Sequence, residues 1–206
     1  MDKRVIDQFW RQRATTGGGR WTDPEMLDYE LSMLAPHVGA NCHILDLGSG
    51  PAVLSTRLLG PSCHLTAVDK YQSFLDSIPS DSRINTVCSD IVDFDYVATY
   101  DLILLFGVVT HLEPVEELAV YEKAARGLTD SGVLAVKNQS SRNEEKRVDG
   151  YSESLKCHYV GRYPDIPGQA ARLGRFFGKV EIRPYPPEFD KWPDTTHVCF
   201  LCSARK

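Results

Sequence analysis

Three carboxylates and a glycine turn are the residues whose types and spacing best suit chemistry. The run Ile44-Leu45-Asp46-Leu47-Gly48-Ser49-Gly50-Pro51-Ala52 leads an apolar strand into a tight turn and then a helix start. Glycines at such a turn let the backbone approach a ligand closely, and the helix N-terminus favours negative charge. The dinucleotide fingerprint would place Gly or Ala where Val53 stands, and the phosphate loop ending in Gly-Lys-Ser/Thr is absent. Asp46, just before the turn, would oppose a pyrophosphate and suits a ligand carrying an ammonium group. Asp69 closes the next apolar run, about 20 residues past the turn, where an acid can hold both hydroxyls of a ribose. Asp90 follows the third run, where a carboxylate can accept a hydrogen bond from an exocyclic amine. Each acid also has a plainer use: Asp69 could cap a helix and Asp90 could form a turn.

The elements that must position these acids follow from hydrophobic periodicity. Strand-like runs fall at 42–47, 64–68, 84–88, 101–106 and 133–137, with helical segments at 53–59, 71–77 and 115–128 between them. Strands alternating with helices predict crossover connections and a mostly parallel sheet covered on both faces. Two further strands, 179–184 and 197–204, follow a helix over 168–177 and predict a hairpin-like antiparallel finish. The expected fold is therefore α/β: a doubly wound, mostly parallel seven-stranded sheet with an antiparallel last strand. In such an open sheet the ends of three consecutive strands share one crevice, where ligands bind. Ahead of it, 2–13 and a second helix capped by Asp23 and Pro24 predict a helical arm over 1–40, with the domain proper at 41–206. The polar stretch 140–165 is too long for an ordinary connector and reads as a functional or partly mobile insertion.

This constellation resembles the class I methyltransferases that use S-adenosylmethionine, over roughly residues 41–136. The resemblance implies that Asp46 and the loop Gly48, Ser49 and Gly50 hold the methionine end of the cofactor. It implies that Asp69, with Lys70 beside it, binds the ribose and that Asp90, with Ile91, binds the adenine. Phe106 opens the segment that follows the fourth strand in that family. Ala52 stands where the family often has a third glycine, which predicts slightly tighter packing.

Methyl transfer requires mainly alignment and exclusion of water, and a hydroxyl acceptor also needs a base. His111, just after the fourth strand, is the first candidate base, and His158 is the alternative. Tyr151, Tyr159, Arg162 and Tyr163 in the long polar stretch suit a hydroxylated or anionic acceptor such as a sugar or an acidic metabolite. Trp21, after Gly17-Gly18-Gly19, could close over the cofactor as part of a lid. Phe9 and Trp10 read as core packing.

Composition bounds the rest. A net charge of −5 over 206 residues argues against broad electrostatic binding of nucleic acid. The segment Phe106-Gly107 lacks the Asn/Asp-Pro-Pro-Tyr pattern of many nucleic-acid-methylating relatives. The charged start and the want of a long apolar run predict a soluble, cytoplasmic protein without a membrane span. The six cysteines read as small buried hydrophobes, and the pair Cys199 and Cys202 would point to opposite faces of a strand, so no metal is expected. The leading expectation is a methyltransferase acting on a small-molecule or glycan hydroxyl. Protein or RNA methylation, or a non-catalytic methyltransferase-like binding subunit, are the other readings, with a nicotinamide dehydrogenase a distant fourth.

Overall fold

The computed structural model describes residues 1–16, 23–96 and 98–206. Helix α1 (Lys3–Thr15) is capped by Asp2, whose carboxylate accepts the Arg4 N–H at 2.9 Å. Helix α2 (Pro24–Leu34) starts as expected, with Asp23 accepting from Glu25 N at 2.9 Å and Pro24 in the first turn. The alternating segment then runs β1 (His43–Leu47), α3 (Val53–Leu58), β2 (His64–Asp69), α4 (Gln72–Leu75), β3 (Ile84–Cys88), β4 (Tyr100–Phe106) and α5 (Pro114–Gly127). It continues with β5 (Leu128–Ser141), β6 (Lys146–Ser152), β7 (Cys157–Tyr163), α6 (Ile166–Leu173), β8 (Phe177–Pro184) and β9 (Thr195–Arg205).

Seven strands form one sheet in the order β3-β2-β1-β4-β5-β9-β8. Neighbours from β3 through β5 are parallel, while β9 lies antiparallel between β5 and β8. The strand order reverses between β1 and β4, so connections leave the two strands in opposite directions and open a crevice at their C-terminal ends. Both faces are covered, which is why β1 and β4 are apolar along nearly their whole length. One face packs Leu27 and Leu34 of α2, Leu54 and Leu58 of α3, and Leu75 against Ile44, Leu102 and Ala135. The other packs Val120, Tyr121 and Ala124 of α5 and Leu173 of α6 against Leu45, Ile103, Leu105 and Val136. Cys199 belongs to the first layer and Cys202 to the second, on opposite faces of β9.

Three boundaries differ from the expectation. Strand β5 begins at Leu128 and ends at Ser141, well beyond 133–137, with a register shift against β4 between Tyr100 and Leu102. Helix α6 ends at Leu173, because Gly174 closes it and Phe177 already belongs to β8. The stretch 140–165 is not an irregular connector. Its middle is the antiparallel ribbon β6–β7, pairing Lys146 with Tyr163 through Ser152 with Cys157. The ribbon pattern was masked by its composition: outer β6 positions are Lys146, Arg147 and Asp149, so the apolar alternation of a half-buried strand is missing. Among the described residues, no helix is long and apolar enough to cross a membrane.

Candidate active site

The glycine turn is built on backbone conformations that side chains resist. Gly48 has φ +71° and its N–H donates to Val68 O at 2.8 Å, tying the turn to the end of β2. A Cβ on Gly48 would lie 2.5 Å from Val108 Cγ2. Gly50 (φ +53°) and Gly107 (φ +76°) differ: a Cβ on either would meet no protein atom within 4 Å. That leaves an open cradle against bare backbone. Ala52 is buried and holds φ +51° at the start of α3, so the missing third glycine is felt as left-handed strain. Gly48→Ala is expected to destabilise the fold by about 2 kcal/mol or more, from positive φ and overpacking together. Gly50→Ala should cost only about 1 kcal/mol, because it meets no neighbour. Thermal denaturation of the two variants checks the difference.

The three acids converge as the strand ends require. Asp46 is buried, and Ser55 donates its hydroxyl to Oδ2 at 2.6 Å. Asp69 accepts Gly50 N–H on Oδ2 at 2.8 Å and Tyr71 N–H on Oδ1 at 2.9 Å. Burial pushes its carboxyl up from the ordinary range, and those backbone donors pull it partly back. Asp90 accepts Val92 N–H at 3.1 Å and stands 3.5 Å from Lys70 Nζ. Lys70 also lies 3.6 Å from Asp7 of α1, whose carboxylate takes the Tyr71 hydroxyl at 3.0 Å. Asp46, Gly48, Ser49, Gly50, Asp69, Lys70, Asp90, Ile91 and Phe106 all line one cleft of about 870 Å³. A carboxylate near the turn and another on an open glycine cradle suit a ligand with an ammonium group at one end and a diol further along.

The second half of the cleft is aromatic. His111 lies just beyond β4, and its ring meets Trp10 edge-on at 5.5 Å and Tyr159 at 5.8 Å. Phe9 closes the circuit, 5.1 Å from Trp10 and 5.6 Å from Tyr159. Nδ1 of His111 is buried with no hydrogen-bond partner. Burial drives the imidazole down to about 4, with a backbone contact from Val160 opposing the shift. Tyr159, Gly161 and Tyr163 share one face of β7, and Gly161 is required there: a Cβ would sit 2.8 Å from the Tyr159 ring. Burial raises the hydroxyls of both tyrosines, and Tyr159 contacts Tyr163 and Thr110.

Two expected site residues are not in the cleft. His158 falls on the opposite face of β7, is exposed, and pairs with Asp149 at 2.7 Å. Strand alternation separates it from Tyr159, so it cannot serve as the alternative base. Arg162 is fully buried and does not line the cleft. It pairs with Glu117, reaches Glu145 Oε2 at 2.8 Å, and donates through Nε to Leu112 O at 3.0 Å. It clamps the ribbon to α5 and to the residue after His111. Tyr151, mostly exposed, reaches only the rim. Trp21 lies outside the described residues. The residues that sequence reasoning missed are Phe9 and Trp10, which line the cleft and do not merely pack beneath it. Their only signal was position, on the apolar face of a helix that turns out to lie over the strand ends.

A family model described as a methyltransferase domain matches residues 44–132, the stretch that supplies the glycine turn and all three acids. Sequence and fold are thus consistent with a class I methyltransferase. Among curated proteins, the chain is 24% identical over 122 residues to the ubiquinone biosynthesis O-methyltransferase of Rickettsia bellii, covering 56% of this chain and 51% of that one. It is 31% identical over 137 residues to the carboxy-S-adenosyl-L-methionine synthase of Shewanella baltica, covering 55% and 56%. The chain thus spans about half the length of the curated relatives it matches. Among solved structures, the 1,6-didemethyltoxoflavin-N1-methyltransferase of Burkholderia thailandensis superposes with a TM-score of 0.77 at 19% identity, over 99% of this chain and 88% of that one. That likeness extends the shared fold to the whole chain, including the segments that the family model leaves out.

Proposed function

We infer that this protein binds S-adenosylmethionine and transfers its methyl group to a hydroxyl of a small-molecule or glycan acceptor. The convergence of Asp46, the Gly48–Gly50 turn, Asp69 and Asp90 on one cleft carries the reading. In it, Asp46 and the turn hold the methionine end, Asp69 with Lys70 the ribose, and Asp90 with Ile91 the adenine, while Phe106 lines the floor between cofactor and acceptor. When bound, the cofactor supplies a methyl group on a sulfonium sulfur, activated for in-line displacement.

The chain's own residues align the acceptor, exclude water and receive a proton. His111 is the base in this reading, since it lines the cleft beside Tyr159. Tyr159 and Tyr163 form the acceptor wall, with Tyr151 at its rim. Residues 1–40 act as an arm over the cleft and 41–206 as the catalytic domain, with the 140–165 insertion on the acceptor side. Structures of relatives support a small acceptor: one is described with bound 1,6-didemethyltoxoflavin and S-adenosylhomocysteine, another as a glycopeptide N-methyltransferase with S-adenosylmethionine.

Two measurements test the reading. Calorimetric titration with S-adenosylhomocysteine should give saturable binding, and NAD should not bind. His111→Ala should slow turnover by about 100-fold, within the usual worth of a positioned base, and leave cofactor affinity intact. Normal turnover in that variant would remove His111 from the mechanism.

The pH dependence has a definite sign. An ordinary histidine titrates near 6.5, whereas His111 does so at about 4 and stays neutral between those values. Its basic form therefore persists as pH falls from 7.5 to 5.5, and turnover should show no acid limb near 6.5. Stability runs the other way through that window. The unfolded chain binds a proton below 6.5 that the folded chain refuses until about 4, so stability falls as pH falls. His111→Asn should flatten that slope in denaturation curves taken from pH 7 to pH 4.

A further inference from the structure

Lys137 carries an ammonium group where one is costly. It falls in β5, in register with Phe106 of β4, on the sheet face that α2 and α3 cover. Asp46 shares that face, since Ser55 of α3 donates to it. Two strand spacings and two residues separate the Asp46 and Lys137 positions, about 12 Å in all. The Lys137 side chain is 8% exposed, whereas Lys3, Lys70 and Lys146 of the same cleft are 45–50% exposed. Glu30 of α2 is fully buried, lies 3.7 Å from Lys137 Nζ, and accepts the Tyr185 hydroxyl at 3.0 Å. The Tyr185 ring stands 5.5 Å from the same ammonium. Lys137 lines the cleft, and Glu30 and Tyr185 stand behind it.

A charge pair buried only to join α2 to β5 would be replaced without loss by well-packed apolar side chains. Here the ammonium end reaches the cleft and the carboxylate stays behind it, so the pair presents positive charge to a ligand. In a wall of low dielectric that charge attracts an anion more strongly than an exposed lysine does. Among the acids that line the cleft, Glu116 and Asp194 are held by Lys3 and Lys146, and Glu188 is exposed to solvent. Glu30 opposes the attraction from behind, so it sets how strongly Lys137 can hold an anion.

We propose that Lys137 is a specificity-determining residue that holds an anionic oxygen group, a carboxylate or a phosphate, on the acceptor, with Glu30 as the counter-charge that tunes it. The inference rests on the methyl-transfer reading and narrows its acceptor. The anionic group is a handle and not the methylated atom, which is a hydroxyl elsewhere on the same molecule. A charge-assisted hydrogen bond from the ammonium fixes that handle on the face that also carries Asp46. The hydroxyl is thereby oriented relative to the methionine end of the cofactor.

The test is ligand-observed NMR titration of the full chain with glycerol, glycerate and glycerol 3-phosphate, with and without S-adenosylhomocysteine. The three probes share a hydroxylated three-carbon frame and differ in the group at one end. At least one charged probe should bind about tenfold or more tightly than glycerol, as expected of a hydrogen bond to a charged group, and the tighter of the two identifies the handle. Glu30→Gln keeps an acceptor for the Tyr185 hydroxyl and removes the competing charge, so it should tighten that probe by about threefold or more. Lys137→Met combined with Glu30→Gln removes the cation without stranding a buried carboxylate, and should return the charged probe to the level of glycerol. A pair that only joins α2 to β5 would leave the preference among probes unmoved in both variants. Equal binding of all three probes to the parent, or a preference unchanged in the double variant, would overturn the proposal. Failure of S-adenosylhomocysteine to bind the parent chain would instead sink the methyl-transfer reading, while the titrations without it still report on Lys137.

Discussion

Asp69→Asn should weaken S-adenosylhomocysteine binding by roughly 30- to 150-fold, equivalent to about 2–3 kcal/mol. The carboxylate carries more than one load. Its Oδ2 holds the Gly50 N–H and its Oδ1 holds the Tyr71 N–H, so both oxygens also fix the backbone that shapes the cradle. An amide has one acceptor oxygen, and its NH2 would be turned against one of those donors. The loss thus combines a weaker grip on a diol with a displaced turn. Asp90→Asn should cost less, because that carboxylate is more exposed and its charge is screened. Calorimetry on the two variants measures the contrast. Unchanged affinity in Asp69→Asn would mean that the cofactor, if it binds, does so elsewhere.

The second large effect is on stability. Arg162→Met should destabilise the fold by about 3–5 kcal/mol, the usual cost of breaking a buried ion pair by removing one partner. Glu117 is fully buried between Arg162 and Arg172, whose Nε lies 3.0 Å away. Without Arg162 it keeps one cation, while Leu112 O loses its donor. For a chain of this size the melting temperature should fall by roughly 10 °C or more. Removing Glu117 as well should cost less than the sum of the two single changes, since the second removes the charge that the first strands. A melting point within a degree or two of the parent would show that water reaches the cluster.

The fold and the convergence of the three acids on one cleft were legible because their signals are local. Asp46, Asp69 and Asp90 sit at the ends of apolar strands, and the parallel topology brings such ends together wherever the chain goes afterwards. Asp23-Pro24 and Asp2 announced their helices by capping chemistry alone. The aromatic half of the cleft obeyed no local rule. Arg162, set among tyrosines in a polar stretch, has the composition of a binding residue. Only the tertiary structure shows that it faces Glu117, 45 positions away. Tyr159 and His158 are neighbours in sequence and face opposite ways, and that could not be read while the ribbon itself was hidden behind charged residues. Trp10 was misplaced for a similar reason. An apolar helix face shows that something is covered, but not that the covered surface is a cleft.

The helix α1 and the β6–β7 ribbon have a consequence for how the protein can diverge. Both lie outside residues 44–132, where the resemblance to the family is concentrated, yet they supply Phe9, Trp10 and Tyr159. The segment shared among relatives and the segments that supply the aromatic wall of the cleft are encoded in separate stretches of chain that meet only on folding. Evolution can therefore rewrite the flanking stretches and reshape that wall, while the central stretch keeps the glycine turn and its three acids.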